Sequence, residues 1–148
     1  MSRTRFFICA VILLAFVLGL VFYPSDRKRI RKIIHGCRVS IVTEDIDRLM
    51  EHISFNFRGP YGGSYLQLKK RAELVFDRFD DFDITADVMN INVEEKEAVA
   101  DIKTSVIASE GNNRTYIIGD AGSHEDVKVH LEKSPYGWKV IRFEREYY

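Results

Sequence analysis

Apolar and polar positions change their spacing along this chain, and each change marks an element. Phe6–Tyr23 (FFICAVILLAFVLGLVFY) is apolar without interruption for eighteen positions. Wound as a helix, this run spans roughly 27 Å, close to the hydrocarbon thickness of a bilayer. Pro24-Ser25-Asp26 ends it, because proline is disfavoured inside a helix and Ser25 or Asp26 can cap the next one. Ile30, Ile33, Ile34, Cys37 and Ile41 then recur at helical spacing. Thr43-Glu44-Asp45 opens a further short helix, with acids where the helix dipole favours them and Ile46, Leu49, Met50 and Ile53 on its apolar face.

Residues 54–64 (SFNFRGPYGGS) break the helical pattern. Phe55 and Phe57 alternate with polar residues, which suits a short strand, and Gly59, Pro60, Gly62 and Gly63 make a loop. Ser64-Tyr65-Leu66-Gln67 reads as a capping box, and Leu66, Ala72, Val75, Phe76 and Phe79 give the following helix an inner face. From residue 82 the period becomes two. Phe82, Ile84, Ala86 and Val88 share a face, then Met89, Ile91 and Val93 take the apolar role, which predicts a bulge near Val88–Asn90. Strands are expected over Glu97–Ala108, Arg114–Ile118, Asp126–Lys133 and Trp138–Glu144, the last two joined by the turn Ser134-Pro135-Tyr136-Gly137. Helices first and strands after is the α+β order. The expected architecture is therefore an N-terminal transmembrane helix, then helices packed on a curved antiparallel sheet, with an anchor at residues 1–24 and a domain at 25–148.

Charge bears on the address of that domain. Arg3 and Arg5 precede the apolar run. Its bulky end, Leu20–Tyr23, offers no small-x-small cleavage site, which favours a retained anchor over a removable signal. Arg27, Lys28, Arg29, Arg31, Lys32 and Arg38 follow it, and counted strictly they favour a cytoplasmic domain. A short basic tail nevertheless usually stays inside, and the later basic residues belong to a helix of the folded domain. The expectation is a single-pass membrane protein with an extracytoplasmic domain, periplasmic in a bacterium, and the opposite orientation stays open. Residues 39–148 carry fourteen Lys or Arg against twenty-one Asp or Glu, a net of −7, which argues against nucleic acid as a partner. Cys9 in the apolar run and Cys37 in a helix do not suit an intramolecular disulfide. Four scattered histidines without a Cys-x-x-Cys argue against zinc, and nothing calls for a cofactor.

The order of elements resembles the nuclear transport factor 2-like superfamily, the cystatin-like α+β cone also used by ketosteroid isomerases and SnoaL-type cyclases. Three stretches carry the resemblance: TEDIDRLMEHISFNF, SYLQLKKRAELVFDRFDDFDI and the final hairpin VKVHLEKSPYGWKVIRFE, within roughly residues 26–145. The resemblance implies a membrane-anchored bacterial member of undefined activity. The resemblance implies a cone-shaped cavity between sheet and helices. It transfers no catalytic residues, because no matching Tyr-and-Asp arrangement stands at identifiable positions.

Phe57, Tyr61, Tyr65, Phe76, Tyr116 and Trp138 are the candidates to line such a cavity; aromatics in an α+β domain also serve as ordinary core. His130, between Val129 and Leu131, is expected on the outer face of its strand, and His52 lies beside an apolar helix face. Gly59–Ser64 lacks the lysine and spacing of a phosphate loop. These observations lead to a membrane-tethered, non-enzymatic binding or interaction domain for a small apolar ligand or a protein partner. The alternatives are a cavity enzyme of the isomerase, hydrolase or cyclase type, and a structural homodimerisation domain using Met89, Ile91, Val93, Val99 and Ile107 as an outer apolar stripe.

Overall fold

The structure is a computed structural model; it describes residues 3–22 and 25–145, with side chains for all of these except residues 3–7, 9, 20–22 and 61. Among the described residues, helices α1 (Arg3–Phe22), α2 (Asp26–Val42), α3 (Ile46–Glu51) and α4 (Tyr65–Arg78) precede strands β1 (Asp80–Glu94), β2 (Glu97–Glu110), β3 (Asn113–Ile118), β4 (Glu125–Ser134) and β5 (Gly137–Arg145). Ser25 caps α2, its hydroxyl accepting from the Lys28 N–H, and Asp45 caps α3. Ser64 and Gln67 close the expected capping box on α4. Each cap satisfies N–H groups that a helix start leaves orphaned.

The expected membrane span is not met by the described residues, among which no helix is long and apolar enough to cross a membrane.

The sheet is antiparallel with β2 at its centre. One edge of β2 pairs with β1; the other pairs with β4 over residues 97–104 and with β3 over 106–110, and β5 lies beyond β4. Val88 pairs with Ile102 and Asn90 with Asp101, so Met89 stands unpaired at the expected bulge. The bulge shifts the inward set from Phe82, Ile84, Ala86 and Val88 to Ile91 and Val93. Met89 itself is 61 % exposed rather than inward, and Ile91 is buried, so the supposed outer stripe of Met89, Ile91, Val93, Val99 and Ile107 does not lie on one face.

The curled sheet holds two apolar clusters. In the larger, Ile30 and Ile34 of α2, Met50 of α3 and Phe57 meet Leu131, Trp138 and Val140. In the smaller, Phe82, Ile84 and Ala108 meet Val75 and Phe76 of α4. Leu66 was expected on the inner face of α4 but is 72 % exposed, and Leu68 packs inward instead. Residues 65, 68, 72, 75 and 76 share a face at helical spacing, and 66 falls off it.

The segment after α3 runs along β5 as a cover rather than as the expected strand. Only Ile53 bridges to Val140; Ser54 N donates to Val140 O and Arg58 N to Ile141 O, both at 2.8 Å. Between them the Ser54 hydroxyl accepts from Asn56 N and donates to Glu132, which turns the chain and leaves Phe55 exposed while Phe57 is buried. Those backbone bonds occupy an edge that would otherwise be open to pairing.

The β4–β5 hairpin is fastened to the start of α2. Trp138 is 1 % exposed, and its indole N–H donates to Asp26 Oδ1 at 3.0 Å while Lys133 Nζ lies 2.9 Å from Oδ2. The indole N–H and then the Lys133 ammonium hold the Asp26 carboxyl below its ordinary value. Trp138→Ala should therefore cost about 3–5 kcal/mol by chemical denaturation. Val129→Asp should be comparably damaging, because Val129 is buried. His130→Ala, on the opposite face of the same strand, should shift stability by less than about 1 kcal/mol. The reverse ranking of the two β4 variants would contradict the assignment of the faces.

Candidate functional site

Between the two clusters the core is not filled. A cavity of about 880 Å³ opens there, walled by α2, the 59–64 loop, α4 and the concave face of the sheet. Strand register explains the space. Ala86 of β1 lies opposite Thr104 of β2, between the larger pairs Ile84–Val106 and Val88–Ile102. A small pair at mid-strand leaves volume that helices resting on its large neighbours do not reach. The Thr104 hydroxyl donates to Thr85 O at 2.8 Å, so the floor's hydroxyl is spent on backbone. Ile34, Cys37 and Ile41 present one α2 face to the cavity, and Leu68 and Phe57 complete an apolar wall. Gly59 and Gly63 bring the loop to the rim, closed by Gly59 N donating to Gly63 O at 2.7 Å.

Of the aromatic candidates, Phe57 lines the cavity, its ring 5.6 Å from that of Phe143. The Tyr61 side chain lies outside the described residues. Tyr65 stacks on Phe55 at 4.7 Å, and Phe76 sits edge-on to Phe82 at 5.5 Å in the smaller cluster. Trp138 is core, and Tyr116 stands half-exposed on β3 beside a shallow groove with Arg78 and Arg114. The structure thus brings one of the six to the cavity wall among the described side chains. The wall is made instead by aliphatic positions of α2, α4 and the strands, whose spacing marks a buried face but does not distinguish residues that fill a core from residues that border a void.

Charged groups stand at the mouth. Arg38 of α2 and Arg71 of α4 are exposed cavity-lining residues. On β5, Phe143 turns inward, while Arg142 and Glu144 face outward, where Glu144 accepts from Arg142 at 2.9 Å and meets His130 Nε2 at 3.1 Å. His130 is therefore on the outer face, as its strand position predicts. Glu144 is the sole carboxylate on the cavity boundary among the described residues, and no group of His, Cys, Asp or Glu among them could hold a metal ion.

His52 is not in the cavity wall. It ends α3 with its ring against Gly36 of α2, where a Cβ would collide with the imidazole. That close approach explains a glycine in mid-helix, which otherwise costs roughly 1 kcal/mol relative to alanine. His52 Nε2 is buried without a hydrogen-bond partner among the described residues, and burial, followed by the Lys139 charge, lowers its pKa.

Comparison with known proteins identifies the architecture. No family model and no curated protein matches the chain. Solved structures do. A nuclear transport factor 2-like superfamily protein from Salmonella enterica serovar Typhimurium superposes with a TM-score of 0.67 at 16 % identity, over 82 % of this chain and 90 % of that one. This chain has the nuclear transport factor 2-like fold. A ketosteroid isomerase-like protein from Erwinia carotovora atroseptica gives 0.65 at 15 % identity, over 82 % and 95 %. Bdellovibrio bacteriovorus Bd1075 gives 0.67 at 13 % identity over 82 % of this chain, which spans only 41 % of that protein. At these identities the likeness concerns the fold.

Two measurements follow from these environments. Burial raises the Cys37 thiol to about 12. Iodoacetamide at pH 8 should therefore leave Cys37 unmodified in the folded protein and modify it in denaturant, read by mass mapping of its peptide. For His52 the folded pKa lies below the unfolded 6.5, so its contribution is complete above about pH 6.5 and is lost as pH falls through the lower folded value. His52→Gln should flatten the pH dependence of stability in that window, and Gly36→Ala should destabilise the wild type more than it destabilises His52→Ala.

Proposed function

We propose that this chain is a membrane-tethered, non-enzymatic binding domain that takes a small apolar ligand in its cone cavity, with residues 1–24 as the anchor and 25–148 as the domain. The observation that carries the reading is the mainly apolar cavity of about 880 Å³, within the range of small-molecule sites. Its floor hydroxyl is bonded to backbone, and its one boundary carboxylate among the described residues, Glu144, is paired on the outer face with Arg142 and His130. The cavity therefore offers apolar area rather than a poised acid and base.

The tether rests on α1. Its large described side chains, Ile8 to Leu18, are 46–68 % exposed, an arrangement water disfavours and hydrocarbon accepts. The full Phe6–Tyr23 run has close to the length of a span. Tyr136, at the tip of the hairpin fastened to Asp26, is 94 % exposed and suits a headgroup layer. The short basic tail, Arg3 and Arg5, supports an extracytoplasmic domain.

A second reading, a cavity enzyme, has one observation in its favour: Glu144, on the cavity boundary, meets His130 on the outer face, in a fold shared with a ketosteroid isomerase-like protein. Complementation of a deletion strain separates the two. Ala86→Phe, which puts a ring into the cavity at its floor, should abolish the cellular role while preserving the fold, and Glu144→Gln and His130→Ala should retain it. The opposite pattern would put the enzyme first. Full-length protein should stay with membranes through alkaline extraction, and its domain should be cut by protease added on the extracytoplasmic side; release by alkali would refute the tether.

A further inference from the structure

The charges at the cavity mouth are unequal in their engagements. Arg142 pairs with Glu144 at 2.9 Å and Arg145 approaches Glu125 at 3.7 Å. Arg38 and Arg71 have no carboxylate partner among the described residues, although both border the cavity. They come from different walls, α2 and α4, beside the apolar residues Ile34, Ile41 and Leu68. Gln67, one helical turn before Arg71 and on the same face, adds a third donor. Its side-chain oxygen accepts from Ser64 N at 3.0 Å in the capping box, so its amide N–H groups are left facing other partners. An apolar chamber whose mouth carries two guanidiniums without a carboxylate partner among the described residues, and a fixed amide, matches a ligand with an apolar body and one anionic head.

We propose that the ligand is an anionic amphiphile, with its tail between Ile34, Ile102 and Val129 and its carboxylate or phosphate held by Arg38, Arg71 and Gln67. The proposal rests on the cavity being a binding site, as argued above, and adds the charge of what it takes. Guanidinium suits this head because its planar donors bind carboxylate and phosphate oxygens in pairs. The acidic body of the domain sharpens the contrast: residues 39–148 carry a net of −7, yet Arg38 and Arg71, without carboxylate partners among the described residues, are positive.

The test is calorimetric titration of the full-length chain in zwitterionic phosphatidylcholine nanodiscs with octanoate and with octanamide, its neutral counterpart, after subtraction of empty nanodiscs. Octanoate should bind about tenfold more tightly than octanamide. Arg38→Gln/Arg71→Gln should weaken octanoate toward the octanamide value and so remove that preference; both residues are exposed, so the double variant should keep its fold, checked by circular dichroism. Equal binding of the two probes to the wild type would overturn the anionic assignment and leave the cavity reading standing. Binding of neither would overturn both. A preference that survives in the double variant would refute the role of these arginines.

Discussion

Strands of 15 and 14 residues paired along nearly their whole length make a ribbon too long for one flat layer of helices to cover. The unpaired Met89 resolves this by bending and twisting the ribbon where the inward set changes phase. Everything else follows from that bend. It lets β2 serve the larger cluster with Ala98, Ala100 and Ile102 and the smaller with Val106 and Ala108. It also sets α2 and α4 against a concave surface, and a concave sheet encloses space that straight helices do not fill.

Whether that space stays open is decided by side-chain size. Larger residues in place of Ala86 and Thr104 would narrow it at the floor. An unfilled interior forgoes dispersion contacts and burial, so the domain gives up stability along its axis. It offsets this at the periphery, through the Asp26–Trp138–Lys133 tie, the capped helices and the segment hydrogen-bonded along β5. A ligand entering the cavity would restore apolar contact and stabilise the folded state by mass action.

The same geometry sorts the titratable groups. His130 and Glu144 meet on the outer face, His52 fills a helix–helix gap left by Gly36, and Cys37 faces the cavity as a protonated thiol. Thus the interior carries groups that burial keeps neutral, and the mouth carries fixed positive charge.

Much of this was legible in the residues alone. Helical spacing at Ile30–Ile41, the Ser64–Gln67 box, the phase change at Val88–Asn90 and the turn before Trp138 are local signals, because caps, bulges and hairpins form among residues near in sequence. The fold was legible from their order. Local alternation misplaced residues where long-range contacts decide: Phe55 turns outward because Ser54 bonds to Glu132, and Leu66 yields to Leu68 because α4 rotates to meet the sheet. The cavity was not legible in residue types. Phe57 lines it while Tyr65, Phe76 and Trp138 fill core, and nothing in an aromatic side chain says which. A void is a property of register and of helix placement, and the pairing of Ala86 with Thr104 exists only once two strands have been laid side by side.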